Sequence, residues 1–149
     1  MIRKAIHADV ETLAAMGHRF IEYSAHGGLV SPTEDDLRDS IRRVIDCGVV
    51  FVAEIQGEIV GFIYAAMSTV WFSPMSKVAI ELAWWIDESH RGGTSAIRLV
   101  HAYESWAKEQ GASVITMSDL IINGNPSAGT ILARMGYVMS ERSHVKGAY

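Results

Sequence analysis

Residues Glu81 to Ala96 read ELAWWIDESHRGGTSA and change character twice within this short span. The apolar run predicts a strand that ends near Ile86, and the pair Gly92-Gly93 predicts a turn. Beyond the turn, apolar residues recur with a period of 3.6 at Ala96, Leu99, Val100, Tyr103, Trp106 and Ala107. The segment therefore predicts a strand, a glycine turn and a long helix that ends at Gly111.

The start of this helix is a candidate anion site. The first backbone N–H groups of a helix have no partner within the helix, and its dipole is positive there. Small residues let a phosphate approach this backbone, and Arg91 adds a positive charge; the small residues are Gly92, Gly93, Ser95 and Ala96. The alternative is a purely structural glycine turn. The sequence contains neither a Walker loop nor a dinucleotide-binding glycine motif.

Two helices are predicted upstream. The first begins at Asp9, after a short opening strand over Arg3–Ile6, and ends before a glycine-containing loop over Ser24–Pro32. The second has Thr33 as its N-cap and three acidic residues in its first turn, where the helix dipole favours them. Gly48 is placed to end it.

The other predicted elements give the order β-α-α-β-β-β-α-β-α-β. Gln56-Gly57 is a two-residue hairpin turn. A loop over Ser68–Lys77 carries Trp71 and Phe72, and a short helix begins near Pro126. The strands after the first are predicted over Val49–Ile55, Glu58–Met67, Val78–Ile86, Val114–Met117 and Tyr137–Val145. This order predicts a mixed α/β fold.

Composition bounds the function. The chain has 149 residues, which is the size of one domain spanning 1–149. A net charge of -4 argues against a general nucleic-acid binder, and the single cysteine, Cys47, excludes an intramolecular disulfide framework. The longest apolar stretch, Ile59 to Phe72, is about 14 residues, short of the ~20 that span a bilayer. No signal peptide or metal-ligand spacing is found, so a cytoplasmic protein without a metal is expected.

Three motifs, in this order along the chain, give the sequence a resemblance to GNAT-type N-acetyltransferases. Gln56 to Phe62 resembles the family's glycine-containing hairpin, and Arg91 to Ala96 resembles its Arg/Gln-x-x-Gly-x-Gly/Ala motif. Asn125 to Ala128, followed by Gly136-Tyr137, resembles its late Asn-x-x-Ala and Gly-Phe/Tyr. The resemblance implies a splayed, mostly antiparallel sheet flanked by about four helices, and acetyl-CoA as cosubstrate.

The resemblance also implies where acetyl-CoA binds, in the gap between the family's fourth and fifth strands. The pyrophosphate maps onto the backbone of Gly92, Gly93, Thr94, Ser95 and Ala96, with Arg91 at its edge. The pantetheine arm maps onto Trp84, Trp85 and Ile86, and Asn125 matches the asparagine that helps to hold it.

Two positions depart from the family pattern. Thr94 stands where the motif usually has its second glycine, so binding weakens if phosphate needs a bare Cα there. Leu132 stands where many members carry a tyrosine that protonates the leaving thiolate. Leucine donates no proton. The chain is therefore either an acetyltransferase with another proton donor, or a CoA-binding sensor or interaction module with weak catalysis.

Acetyl transfer needs a base, an oxyanion donor and an acid. Glu81, on the strand that leads to the glycine turn, is the first candidate base, and Asp119 is the second. A backbone N–H near Trp85 or Ile86 is the expected oxyanion donor. Candidate acids are Ser127 and Tyr137. Each carboxylate has the alternative of ending a strand in contact with water.

The acceptor is expected to be a primary amine on a small molecule or a protein. Its recognition is expected to involve two loops, Tyr23–Pro32 with His26 and Ser68–Lys77 with Trp71 and Phe72. Trp84 and Trp85 are adjacent on a strand, so one is expected to enter the core and the other to line the cleft. A homodimer is plausible because exposed strand edges pair readily.

Overall fold

The structure is a computed structural model that describes residues 1–122 and 125–148, with the backbone alone for residues 122, 125 and 126. Its helices are α1 (Val10–Tyr23), α2 (Glu34–Cys47), α3 (Ser95–Glu109) and α4 (Gly129–Arg134). Its strands are β1 (Ile2–Lys4), β2 (Val49–Ile55), β3 (Glu58–Val70), β4 (Ser73–Ile86), β5 (Val114–Thr116), β6 (Ile121–Ile122) and β7 (Asn125–Pro126).

Five strands form one sheet in the order β1-β2-β3-β4-β5. The first four are antiparallel, and β5 pairs parallel to β4 through Val78–Val114, Ala79–Ile115 and Ile80–Thr116. A separate two-stranded sheet joins β6 to β7. This arrangement confirms the predicted mixed, mostly antiparallel sheet with four helices.

Each face of the sheet has its own apolar core. Helix α3 packs on one face through Leu99, Tyr103 and Trp106. Helices α1 and α2 pack on the other face through residues such as Leu13 and Ile41. Both cores contain fully buried side chains, and the sheet between them is therefore shielded from water over most of its area.

The structure confirms the local signals upstream of the glycine turn. Thr33 caps α2 by accepting the Asp36 N–H at 3.1 Å, and the Asp36 carboxylate accepts the Thr33 N–H in return. Gln56 and Gly57 both have positive φ, 52° and 86°. A two-residue hairpin turn with positive φ at both positions is type I′, which matches the twist of the flanking strands.

Two predicted elements are wrong. The expected loop over Ser68–Lys77 is instead the tip of a long hairpin, because β3 continues to Val70 and β4 begins at Ser73. Pairing between these strands outweighs the loop-like composition of the segment. The expected closing strand over Tyr137–Val145 does not form, and Val138 and Met139 are exposed. Pro126 lies in β7, so the last helix begins later, at Gly129.

Candidate active site

The site lies where β5 separates from β4. Pairing between the two strands ends at Ile80–Thr116, so, among the described residues, Glu81–Ile86 have a strand partner on the β3 side only. The backbone groups of alternate residues in a strand point to the same edge. Because the Asp87 N–H donates to Val60 O on the β3 side, the N–H groups of Trp84 and Ile86 point to the open edge. An extended ligand can therefore pair there as a further strand.

A β-bulge at Leu82 sets the side-chain directions in this gap. Glu81 pairs with Ala65 and Ala83 with Tyr64, so Leu82 has no opposite residue in β3. Ala79, before the bulge, packs in the α3 core, whereas Ala83 and Trp85, after it, pack in the α1/α2 core. In a regular strand without a bulge, residues 79, 83 and 85 would all share one face because they are an even number of positions apart. The bulge therefore exchanges the two faces of β4 at the candidate base.

Trp84 and Trp85 lie on opposite faces, as predicted, but both pack in an apolar core, whereas one of them was expected to line the cleft. Trp84 packs against the α3 core, and its indole N–H is buried without a hydrogen-bond acceptor in the described part of the chain. Trp85 is 5% exposed and donates its indole N–H to Asp87 at 3.0 Å. The backbone of Trp85 faces β3, which leaves the backbone of Trp84 and the N–H of Ile86 available to a ligand.

Glu81 lies at the base of the gap and is only 7% exposed. Its Oε2 accepts the N–H of Ser118, at the end of β5, at 2.9 Å. Burial raises the pKa of Glu81 to about 7, and the Ser118 hydrogen bonds lower it in part. A carboxylate with this pKa is partly ionised near neutral pH and can accept a proton from a substrate.

The raised pKa makes folding stability depend on pH. The native protein holds a proton on Glu81 up to about pH 7, whereas the unfolded chain releases it near 4.5. Stability from this group is therefore complete below about pH 4.5 and is lost as pH rises through 7. We expect a loss on the order of 3 kcal/mol between these limits. Denaturant unfolding across this pH range measures it, and Glu81→Gln is expected to remove this component. If Glu81→Gln loses as much stability as the wild type over this pH range, the pH dependence does not come from Glu81.

Tyr103 is a neighbour of Glu81 that the sequence analysis placed only among core residues. It lies in α3, is completely buried and donates its hydroxyl to Thr116 O at 3.0 Å. Burial and the Glu81 carboxylate both raise the pKa of Tyr103. Its apolar spacing in the helix concealed this contact, and the Ser118 N–H also had no sequence signal because it is a backbone group.

The glycine turn leads to an uncapped helix start. Gly92 has φ of +86°, a left-handed conformation that favours glycine, whereas Thr94 has φ of −89°. The backbone at position 94 therefore does not itself require glycine. The Thr94 side chain makes no capping hydrogen bond, and the first turn of α3 holds no acidic residue. The N–H groups at Ser95 and Ala96 remain suited to an anion.

Arg91 lies against the end of β4. Its Nε donates to Ile86 O at 3.0 Å, and its guanidinium carbon stands 4.5 Å from the centre of the Trp85 ring. The Tyr23 ring, at the end of α1, lies 5.8 Å away, and the Tyr23 hydroxyl donates to Glu88. The guanidinium therefore links α1, the end of β4 and the turn before α3.

Asp119, the second candidate base, organises the chain before α4. Its Oδ1 accepts the Ala128 N–H at 2.7 Å and the Ser127 hydroxyl at 3.1 Å. Both hydrogen bonds hold the segment that leads into the helix, which is a structural use of the carboxylate. The side chain of Asn125, the predicted ligand of the cofactor arm, lies outside the described residues.

The candidate acids differ in environment. Leu132 is 7% exposed on α4 and is unable to donate a proton. Burial and the adjacent Glu104 carboxylate raise the pKa of Tyr137, which makes its hydroxyl a weaker acid than that of an ordinary tyrosine. Ser127 is exposed and engaged by Asp119.

The predicted acceptor loops lie at opposite ends of β4. Tyr23, at the start of one loop, contacts Trp85 near the end of the strand, with ring centres 5.1 Å apart. Trp71 and Phe72, in the other, precede the first residue of the strand. Eight residues separate Ser73 from Glu81, a distance of about 26 Å along β4. A small acceptor at Glu81 therefore does not touch both loops at once.

Neither a metal centre nor a membrane-spanning helix is found among the described residues. They contain no cluster of three or more His, Cys, Asp or Glu side chains placed to hold a metal ion. Among the helices over residues 1–122 and 125–148, none combines the length and hydropathy needed to cross a membrane.

Comparisons with known proteins agree with this geometry. Residues 19–137 match the sequence profile of the Acetyltransferase (GNAT) family. No protein of curated function matches the sequence significantly.

Many solved structures share the fold. A ribosomal-protein-alanine N-acetyltransferase from Brucella melitensis biovar Abortus 2308 superposes with a TM-score of 0.76 at 13% identity, covering 98% of each chain. The aminoglycoside N-acetyltransferase AAC(6')-Iy in complex with CoA gives 0.76 at 16%, covering 99% of this chain and 93% of that one. A predicted acetyltransferase with acetyl-CoA from Clostridium acetobutylicum gives 0.74 at 15%, covering 99% and 95%. With its profile match across most of its length, the chain belongs to the GNAT acetyltransferase family.

Proposed function

We propose that the protein is an acetyl-CoA-dependent N-acetyltransferase that acts on a primary amine, with Glu81 as the general base. The observation that carries the proposal is the position of Glu81: a nearly buried carboxylate, with a pKa of about 7, at the base of the β4–β5 gap. Structures of similar fold contain CoA or acetyl-CoA, which supports the same cosubstrate here.

The residues along the gap fit this cosubstrate. The open edge at Trp84 and Ile86 offers backbone N–H groups to a pantetheine amide. The uncapped start of α3 suits a pyrophosphate through the backbone of Gly92, Gly93, Thr94, Ser95 and Ala96. Acetyl-CoA supplies an activated acetyl group as a thioester.

Glu81 accepts a proton from the acceptor ammonium, which leaves a neutral amine nitrogen able to form the new C–N bond. The open-edge N–H groups of β4 stabilise the negative charge that develops on the acetyl oxygen. As the C–S bond breaks, the sulfur takes a proton. Tyr137 and Ser127 are the candidate donors, with water as the alternative; the raised pKa of Tyr137 makes its hydroxyl a weaker acid, and Asp119 remains the second candidate base.

A CoA-binding sensor or interaction module is the second candidate function. Leu132 favours it because this buried apolar side chain occupies the position of the family's tyrosine acid. This alternative keeps the cofactor-binding residues and dispenses with turnover. Both functions therefore predict acetyl-CoA binding, and only the first predicts thiol release.

Calorimetry with acetyl-CoA, followed by free-thiol release with a panel of primary amines, tests both candidates. The enzyme proposal expects binding and amine-dependent thiol release. Binding with no release from any amine supports the second candidate. No binding at all overturns both.

Arg91 offers a prediction about cofactor binding. Because it is bonded to Ile86 O and stacked on Trp85, we propose that it holds the end of β4 in place for pantetheine. Arg91→Gln is then expected to weaken CoA and phosphate-free pantetheine alike, each by about tenfold, a loss of one charge-assisted hydrogen bond. Calorimetry measures both affinities.

Arg91→Lys separates charge from geometry. It keeps the positive charge but loses the planar fork that bonds Ile86 O and stacks on Trp85. We expect it to behave like Arg91→Gln. If Arg91→Gln lowers the affinity for CoA but not for pantetheine, and Arg91→Lys keeps the wild-type affinity for CoA, then Arg91 binds the phosphates instead.

A further inference from the structure

The β3–β4 hairpin extends beyond the rest of the sheet. Pairing between β2 and β3 ends at Val49–Ala65, and residues 66–70 of β3 pair with β4 alone. In the described part of the chain, no strand pairs with the outer edge of residues 66–70. The N–H and C=O groups of an open strand edge can pair with another strand.

This edge lacks the usual protection. Natural edge strands are commonly guarded by charged side chains, yet no charged residue occurs from Ile59 to Ser76. The tip is also apolar and open to solvent: Trp71 is 88% exposed, Phe72 72% and Met75 94%. Trp71 and Phe72 pack edge-to-face on each other, with centres 5.4 Å apart. A free edge and an apolar tip thus adjoin on one protrusion.

We propose that this hairpin is a homodimer interface, in which residues 66–70 of two copies pair antiparallel about a two-fold axis at Ser68. In this arrangement the backbone N–H and C=O groups of the two open edges pair with each other. Met67 lies opposite Thr69 of the other copy, and Ala66 lies opposite Val70. A second copy is favoured over a charged partner because the strand carries no charge with which to recognise one.

This register also covers the tip. Trp71 of each copy extends past Ala66 of the other, toward an open groove of about 510 Å³ lined by Cys47, Gly48, Met67 and Trp106, among others. Four aromatic rings contribute on the order of 600 Å² of buried area. Met75 and the paired edges add to this, toward the ~1,200 Å² at the lower bound of stable interfaces.

Disulfide trapping tests the register. In a Cys47→Ser background, Ser68→Cys places one thiol opposite its own copy across the axis, within the Cα separation that a disulfide accepts. We expect mild oxidation to give a covalent dimer from Ser68→Cys but not from Ser105→Cys, an exposed serine on α3 that serves as control. Equal trapping of both variants overturns the proposal.

Analytical ultracentrifugation tests the contact without a crosslink. The wild type is expected to be a dimer at micromolar concentration, and Trp71→Ser with Phe72→Ser to weaken association at least ~10-fold. Ser68→Lys is expected to do the same by charging the edge, with thermal unfolding confirming that each variant folds. A monomeric wild type overturns the proposal. If that monomer also sediments with phosphatidylcholine vesicles, the apolar tip is assigned to a membrane surface instead of a second copy.

Discussion

Glu81→Gln is expected to lower kcat/KM for acetyl transfer by about 10²- to 10⁴-fold, the range typical of general-base catalysis. Glutamine keeps the shape of the side chain but accepts no proton at neutral pH. Because the Glu81 side chain is bonded to Ser118, and the N–H groups proposed to hold pantetheine are those of Trp84 and Ile86, the affinity for acetyl-CoA is expected to change little. Thiol release and calorimetry measure the two effects separately.

The pH profile adds a second readout. In the wild type, kcat/KM is expected to rise with pH and level off above about 7, as Glu81 ionises. The same rise should be absent from the residual activity of Glu81→Gln. Asp119→Asn is the comparison variant: its amide oxygen still accepts from Ser127 and Ala128, so its stability and its activity are both expected to change little. If Asp119→Asn instead abolishes activity at unchanged stability while Glu81→Gln stays active, Asp119 is the base.

Gly61→Ala is expected to lower the free energy of unfolding by about 1–3 kcal/mol, the usual cost of overpacking. A Cβ at position 61 would lie 2.4 Å from Ile86 Cδ1 and 2.7 Å from Trp85 O. The Ile86 methyl can rotate away, but the Trp85 carbonyl is part of the β3–β4 ladder and moves only with the strand. We therefore also expect weaker acetyl-CoA binding, because this strand carries the open edge.

Gly28→Ala is the matched control for Gly61→Ala. A Cβ at Gly28 meets no atom within 4 Å. Urea unfolding is expected to separate the two variants clearly, and calorimetry to show unchanged acetyl-CoA affinity for Gly28→Ala. Equal stability of both variants would show that the end of β4 shifts without cost and that the close approach at Gly61 is not required.

The features that the sequence predicted well depend on neighbouring residues. Thr33 and Asp36 lie three positions apart and cap each other, and Gln56-Gly57 supplies both conformations of its own turn. The glycine turn before α3 is local in the same sense. Such signals can be read from a few consecutive residues, since the interaction that they predict is completed within them.

The features that the sequence did not predict depend on distant pairing. The strand pairing that makes residues 68–77 a hairpin tip joins β3 to β4, and the contact of Glu81 with Ser118 spans two strands. The closing strand was expected from the apolar residues after Tyr137, but no described strand pairs with that segment. Composition alone states a preference for strand, whereas a strand forms only where a partner edge is available.

Neither the identity nor the presence of Leu82, the bulged residue, decides which side chains of β4 enter each core. Its side chain is half exposed and points away from both cores, so many residues should substitute for it at little energetic cost. Removing the position altogether would also keep Ala83 and Trp85 on the α1/α2 side, because Ala83 would then follow Glu81 in regular alternation and still lie opposite Tyr64. A relative of this protein can therefore gain or lose this one residue without exchanging the two cores, and relatives are better aligned by the core side chains on either side of the bulge than by counting residues between Glu81 and the glycine turn.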